Sequence, residues 1–368
     1  MESSLLYMIA LSQVPKVGPI LGRTLVAYCG SPEAVFRSSV RELARIPQIG
    51  LVIARSIQDT SLLHAAEQEL RILEREGITG IHYLDERYPS RLAHFEESPL
   101  VIYLKGQPPL QHGRTIGVIG TRTPTPAGRI VAEELINGLA AHQVMVISGL
   151  AHGIDSTAHH AALSAGLPTI GILGHGFQTI YPAANRSLAK KMEGNSGLMT
   201  EYPFATLPDK DNFPMRNRVI AALSDALVVI ESKERGGSMI TAEFANRYHK
   251  DVFAVPGRVT DPLSKGCHLL IKRHKAHLLE HAEDLAEFMG WDIDDQKNAP
   301  PQAALFHDLD PDEQAIIDEI ARQPELLIDD LGFRLQMPPS KISSSLLNLE
   351  FRGLVRTLPG KRYILSGN

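Results

Sequence analysis

Between residues 115 and 290 the chain repeats one pattern: a short apolar run, a small-residue turn, then a stretch with helical spacing. Ile116-Gly-Val-Ile119, Val144-Met-Val-Ile147, Thr169-Ile-Gly-Ile-Leu173 and Ala226-Leu-Val-Val-Ile230 are apolar at successive positions rather than alternate ones. Asp251-Val-Phe-Ala-Val255 is a further run of this kind, and helical segments such as Ala127–Ala141 lie between the runs. A strand that is apolar on both faces has to be covered on both, which is the condition of parallel strands held between two helical layers. The order strand-helix-strand-helix therefore predicts a Rossmann-like, doubly wound α/β sheet. Ligands on such sheets bind outside the carboxyl ends of the strands.

Four loops follow these strands. They are Gly117-Val-Ile-Gly120-Thr121-Arg122, Ser148-Gly149-Leu-Ala-His152-Gly153-Ile-Asp155, Gly174-His-Gly176-Phe-Gln-Thr-Ile-Tyr-Pro182, and Glu231-Ser-Lys-Glu-Arg-Gly236-Gly-Ser-Met-Ile-Thr241-Ala. The first is not a dinucleotide fingerprint, because its third glycine is missing and Arg122 stands in the turn. Small residues let backbone approach a ligand closely, so the four loops on one sheet edge predict a long concave anion-binding rim.

Asp211-Asn-Phe-Pro-Met-Arg-Asn-Arg218 leads into the apolar run Val219–Leu223. Pro214 suits the first turn of a helix and Asn212 suits its cap, which sets Arg216 and Arg218 near the helix start. The macrodipole disfavours cations there, so two guanidinium groups point to an anion. Phe213 adds an aromatic face, and phosphate beside an aromatic suits single-stranded nucleic acid. A second reading is an arginine pair salt-bridged to the core rim.

Charge sharpens the choice of region. The 368 residues carry a net charge of -5, so any nucleic-acid site is a local patch. Residues 105–290 hold 19 Lys+Arg against 17 Asp+Glu, residues 1–100 hold 10 against 12, and residues 300–368 hold 7 against 10. The middle is therefore expected to carry binding on its own. Cys29 and Cys267 are the only cysteines, which excludes a disulfide framework and a cysteine-rich zinc site and fits a reducing cytoplasm. No apolar run is long enough to cross a bilayer, and the start lacks a secretory pattern. His152, Asp155 and His159 fall at helical spacing, but capping and solvent-exposed histidine explain them without a metal. Ser148 lacks the elbow and the base of a nucleophile. No cofactor, metal or catalytic residue is expected.

The flanks read differently. Residues 1–75 are helical in pattern, with two related turns, Val14-Pro-Lys-Val-Gly18 and Ile46-Pro-Gln-Ile-Gly50. They look like tandem helix-hairpin-helix elements, suited to a duplex or to a protein partner. Residues 76–290 form the α/β domain with an N-terminal extension, and 291–304 read as a linker. Residues 305–368 read as three helices and a hairpin with a Pro359-Gly360 turn, a winged helix. Lys341 and Arg352 on its third helix are opposed by Glu350, so a protein-contact role precedes groove reading there.

These segments together resemble the DNA-processing protein A family, also called Smf. The resemblance rests on residues 117–122, 148–155, 171–182, 200–218 and 235–258, and above all on Thr200-Glu-Tyr-Pro through Arg218 with Val255-Pro-Gly257. The domain order is similar throughout. The resemblance implies a non-enzymatic, dimeric, single-stranded DNA-binding protein of bacterial transformation that helps load the RecA recombinase. It further implies that Gly120, Thr121, Arg122, Ser148, Gly149, Lys210, Phe213, Arg216 and Arg218 meet the strand. His152, Gly236-Gly-Ser238 and the glycine-free Leu270–Ala276 depart from the family pattern. The alternative reading is an enzyme, since Gly236-Gly-Ser-Met-Ile-Thr-Ala-Glu243 is similar to the motif of nucleoside-monophosphate phosphoribohydrolases. A winged-helix transcription regulator is a third, opposed by the acidic last domain.

Overall fold

The computed structural model describes residues 2–291, 309–322, 326–351, 354–358 and 362–365. The chain divides into two units, Met1–Ile293 and Asp294–Asn368.

The first unit is built on nine strands: β1 Thr79–His82, β2 Val101–Gly106, β3 Thr115–Gly120, β4 Met145–Ser148, β5 Thr169–Leu173, β6 Gly197–Thr200, β7 Ala226–Ile230, β8 Asp251–Ala254 and β9 His277–Leu278. Their order across the sheet is β1-β2-β6-β5-β4-β3-β7-β8-β9. The chain enters at β3, steps outward through β4, β5 and β6, then crosses back to β7 on the other side of β3. All pairings from β6 to β9 are parallel. The predicted doubly wound sheet is thus present, with its switch point between β3 and β7.

Both faces are covered, as the apolar runs require. Helices Pro126–Gly138 and Ile154–Ser164 pack Ala132, Ile136 and Ala158 on Ile116 and Val118. On the opposite face Asn212–Leu223, Gly237–Arg247 and Lys265–Lys272 pack Ile220, Ala242 and Leu270 with Ile119, Leu227 and Val229. Sequence patterning missed β6 and the antiparallel pair β1–β2. β6 opens with glycine and is four residues long, and β1 contains Gly80, so neither shows a strong periodic signal. Tyr103 of β2 faces Thr200 of β6, which carries the sheet upstream of residue 105.

The helical segment comprises Glu2–Ser12, Pro19–Cys29, Pro32–Arg37, Val40–Leu43, Leu51–Ile57 and Thr60–Glu76. Its two related turns have the same shape. Val17 N–H donates to Val14 O at 3.1 Å and Ile49 N–H to Ile46 O at 3.0 Å. The left-handed conformation falls on Lys16 and Gln48, at φ 67° and 66°, and the exposed Gly18 and Gly50 cap the next helices in extended backbone. The core of this segment, including Leu25, Leu43 and Leu73, also takes in Val101 and Tyr103 of β2. The helices are therefore packed onto the antiparallel edge of the sheet.

In the second unit, helices Pro311–Arg322, Ile328–Leu335 and Pro339–Phe351 enclose Ile316, Ile320, Leu331, Ile342 and Leu346. Strands β10 Leu326–Leu327, β11 Val355–Leu358 and β12 Arg362–Leu365 form a sheet in the order β10-β12-β11. This is the expected winged-helix arrangement. The Pro359-Gly360 turn, Arg352 and, beyond Trp291, the linker lie outside the described residues.

Candidate nucleic-acid interface

A cleft of about 770 Å³ opens at the carboxyl ends of β3 and β7. The β3 loop forms one wall through Gly120, Thr121 and Arg122, and Lys233 with Gly237 form the other. Lys210 lines it from the loop before helix Asn212–Leu223, and Phe213 and Arg216 from the first two turns of that helix. The switch point produces this opening because the crossovers from β3 and β7 leave to opposite faces of the sheet.

Glycine is demanded at the base of the first wall. A Cβ on Gly120 would lie 2.0 Å from Ile230 O, so the loop sits directly on β7. Thr121 N–H donates to Glu231 O at 2.8 Å, and Thr121 O accepts from Ile154 N at 3.2 Å. Both backbone groups of Thr121 are thus engaged, and the anion-binding character of this wall rests on the exposed Arg122. Arg122, Lys210 and Lys233 are exposed and in no ion pair among the described residues. Lys210 stands between Asp209 and Asp211, and Asp211 N–H donates to the Asp209 carboxylate at 2.8 Å.

The arginine pair separates. Asn212 is the first helical residue rather than the cap, so Arg216 lies in the second turn and Arg218 deeper still. Arg216 is 5% exposed. Its Nη1 donates to Gly149 O at 2.8 Å and also to Ile172 O, tying the ends of β4 and β5 together. Its Nη2 makes no hydrogen bond among the described residues. Burial pushes its pKa down to about 10, opposed by the nearby Asp155 carboxylate, so it stays cationic at neutral pH. Arg218, also 5% exposed, forks onto Glu201 at 2.9 and 2.5 Å. The salt-bridged reading is the one that describes Arg218, because a bidentate partner already occupies its guanidinium.

Ser148 and Gly149 are likewise enclosed rather than open. Ser148 Oγ donates to Val118 O at 2.6 Å, and Gly149 N–H donates to Asp155 Oδ2 at 3.0 Å. A Cβ on Gly149 would lie 2.7 Å from Arg216 Nη2 and 2.8 Å from Asp155 Oδ2. Gly149 leaves free the space that the Arg216 guanidinium and the Asp155 carboxylate share beside it. His159 is not solvent-exposed as expected: it is fully buried, with Nδ1 2.7 Å from Thr169 Oγ1. Asp155 latches the preceding loop instead of capping its helix, so the apparent ligand triad His152, Asp155 and His159 does not converge.

Phe213 is half-buried, and Gly174 leaves the room for its ring: a Cβ there would lie 2.8 Å from Phe213 Cδ1. Its neighbour is Tyr181, 5.6 Å between centroids and 48% exposed, which also lines the cleft. The sequence reading did not single out Tyr181. The signal was there, an aromatic in the loop after β5, but nothing in the spacing shows that this loop reaches the helix at Asn212. His152 borders a small recess with Arg122, Tyr181 and Phe213. Glu243, the carboxylate that the enzyme reading needs, is exposed, pairs with Lys275 at 2.7 Å and is absent from the cleft lining.

Comparison with known proteins gives consistent matches. The family model described as DNA recombination-mediator protein A matches residues 79–290, and that of the DprA winged helix domain matches 297–361. A putative DNA processing protein DprA of Mycobacterium tuberculosis (strain ATCC 25618 / H37Rv) is 33% identical over 354 residues, covering 93% of this chain and 89% of that one. The DNA processing protein DprA of Bacillus subtilis (strain 168) is 40% identical over 219 residues, 59% of this chain and 73% of that one. Among solved structures, DNA processing protein A from Streptococcus pneumoniae aligns with a TM-score of 0.59 at 29% identity, over 77% of this chain and 96% of that one. DNA processing protein A from Helicobacter pylori, which has a unique single-stranded DNA binding mode, aligns with a TM-score of 0.53 at 27% identity, over 58% of this chain and 95% of that one.

Proposed function

The chain belongs to the DNA recombination-mediator protein A family of DNA-processing proteins, and from that premise we propose that its switch-point cleft binds single-stranded DNA without chemical turnover. One observation carries the reading: Arg122, Lys210 and Lys233, in no ion pair among the described residues, line a single cleft with the aromatic pair Phe213 and Tyr181. Cations that track phosphates beside rings that stack bases are what a sequence-tolerant single-strand site needs. Arg122, Lys210 and the free Nη2 of Arg216 take phosphate, and Phe213 stacks a base. Gly120 and Thr121 set the height of the wall. Ser148, Gly149 and Arg218 hold the cleft in shape from behind. In this reading residues 76–290 are the strand-binding domain.

One cleft holds few phosphates, so two joined in a homodimer bind far more tightly through effective concentration. The outer strand β9 supports self-association, since Leu278 and the adjacent Phe288 are half exposed. Family membership supports a cytoplasmic protein of transformation that passes the strand to the RecA recombinase. The helical segment and the winged helix contact proteins. Lys341 on the third helix of the winged unit is paired with Asp312 at 2.5 Å, which leaves little charge there for a duplex.

A competition between single-stranded and duplex DNA of one sequence tests the proposal. The single strand is expected to displace the duplex, and nucleoside monophosphates, ATP and the strand itself to remain intact. Release of free base that disappears in Glu243→Ala would transfer the protein to the phosphoribohydrolase reading.

A further inference from the structure

The loop that delivers Lys210 to the cleft is fastened to the helical segment by a buried carboxylate. Glu69, in helix Thr60–Glu76, is 7% exposed, and its Oε1 accepts the backbone N–H of Phe204 at 2.6 Å. The two residues are 135 apart in sequence. Phe204 lies in the connection from β6 to helix Asn212–Leu223, six residues before Lys210. Its side chain, with that of Phe177, packs on the core of the helical segment.

The same connection is closed from the sheet side. Gly176 N–H donates to Thr206 O at 2.8 Å and Gln178 N–H to Phe204 O at 2.9 Å. A Cβ on Gly176 would lie 2.0 Å from Pro203 O, so the two loops are in direct backbone contact. Beyond Thr206 the hydrogen bonds among the described residues up to the helix start are local ones, Asp211 N–H to the Asp209 carboxylate and Asn212 N–H to Asp209 O, and the exposed Leu207 lies before them. Lys210 is therefore carried on a short span whose near end is fixed at Phe204 and Thr206, with Glu69 holding Phe204 from the helical side.

Among the described residues Glu69 has no cation for a partner. Burial raises its pKa, the Phe204 N–H opposes that, and no ion pair to it exists among the described residues. A buried carboxylate spent on one backbone amide is expensive unless that amide has to be held. We propose that Glu69 is a positioning residue for strand binding, through which the helical segment sets the loop that presents Lys210. The proposal rests on the single-strand reading of the cleft.

The test is a double-mutant cycle in the full-length protein, with affinity for an oligothymidylate as the readout. Glu69→Ala is expected to weaken binding about tenfold if the freed loop spends about a tenth of its time in the competent arrangement. Glu69→Gln keeps an acceptor oxygen and is expected to bind within about twofold of the parent. The loss in Glu69→Ala should shrink when Lys210 is already alanine and persist when Arg122 is, since coupling identifies the group acted through. Amide exchange over residues 203–211 should quicken in Glu69→Ala and not in Glu69→Gln. Parental affinity in Glu69→Ala, or equal losses on the Lys210→Ala and Arg122→Ala backgrounds, overturns the inference while leaving the cleft assignment standing. If Lys210→Ala itself binds like the parent, both are overturned.

Discussion

Arg216 and Arg218 are two residues apart and do different work, which shows how much a side chain's role depends on where its neighbours place it. Arg218 meets Glu201 in a largely buried fork, so removing it leaves a partly buried carboxylate without its partner. Arg218→Ala should lower stability by about 3 kcal/mol, read by denaturant unfolding, with the salt dependence of binding unaltered. An Arg218→Ala protein of parental stability that loses one phosphate's worth of salt dependence would return it to the ligand set. Phe213 sits at the opposite extreme, half open against Tyr181. Phe213→Ala should cost about 1–3 kcal/mol of binding while Phe213→Trp retains most of it. If both variants melt early and bind equally badly, Phe213 belongs to the core. The sequence named both arginines and Phe213 as the interesting residues. Which guanidinium is spent internally depends on Glu201, Gly149 and Ile172, and no local pattern links these to the helix.

At the scale of elements, strand identity was legible because burial on both faces leaves a continuous apolar run, as in β3, β4, β5 and β7. β6 and β1 were not, since each is short and its glycine is explained only by a neighbouring strand or helix. Helix Ile154–Ser164 shows a second limit. Its His159 looked like a surface residue, yet it faces Thr169 inside the domain. Burial holds the imidazole down at about 3, against 6.5 for a free histidine. Between these values the unfolded chain takes up a proton that the folded one refuses. Stability from this group is therefore complete above about pH 6.5 and falls as pH drops towards 3, by up to about 1.4 kcal/mol per pH unit. His175 and His82 are lowered by burial in the same direction, so the contribution is read as a difference. His159→Gln should flatten the stability curve between pH 6.5 and 5 relative to the parent. Parallel curves would mean that His159 becomes protonated without unfolding.

For the whole molecule, charge counting pointed to the middle of the chain, where Arg122, Lys210 and Lys233 line one cleft, but a binding unit that begins at residue 105 does not match the fold. A cut at residue 105 passes through β2 and removes most of the antiparallel partner of β6, whose connection carries Glu201, Phe204 and Lys210. The helical segment belongs to that same unit, so the cleft is shaped from both ends of residues 1–290. The winged helix is a separate unit with its own core. The central claim is that Arg122 and Lys210 hold phosphates of a single strand, and salt dependence measures this most directly. Affinity for one oligothymidylate is measured across a salt series for the parent, Arg122→Ala and Lys210→Ala. Each substitution should reduce the log–log slope by roughly 0.7, the value of one single-strand phosphate. Lost affinity with an unchanged slope in both variants would contradict the claim, because the two residues would then act on the fold rather than on the strand.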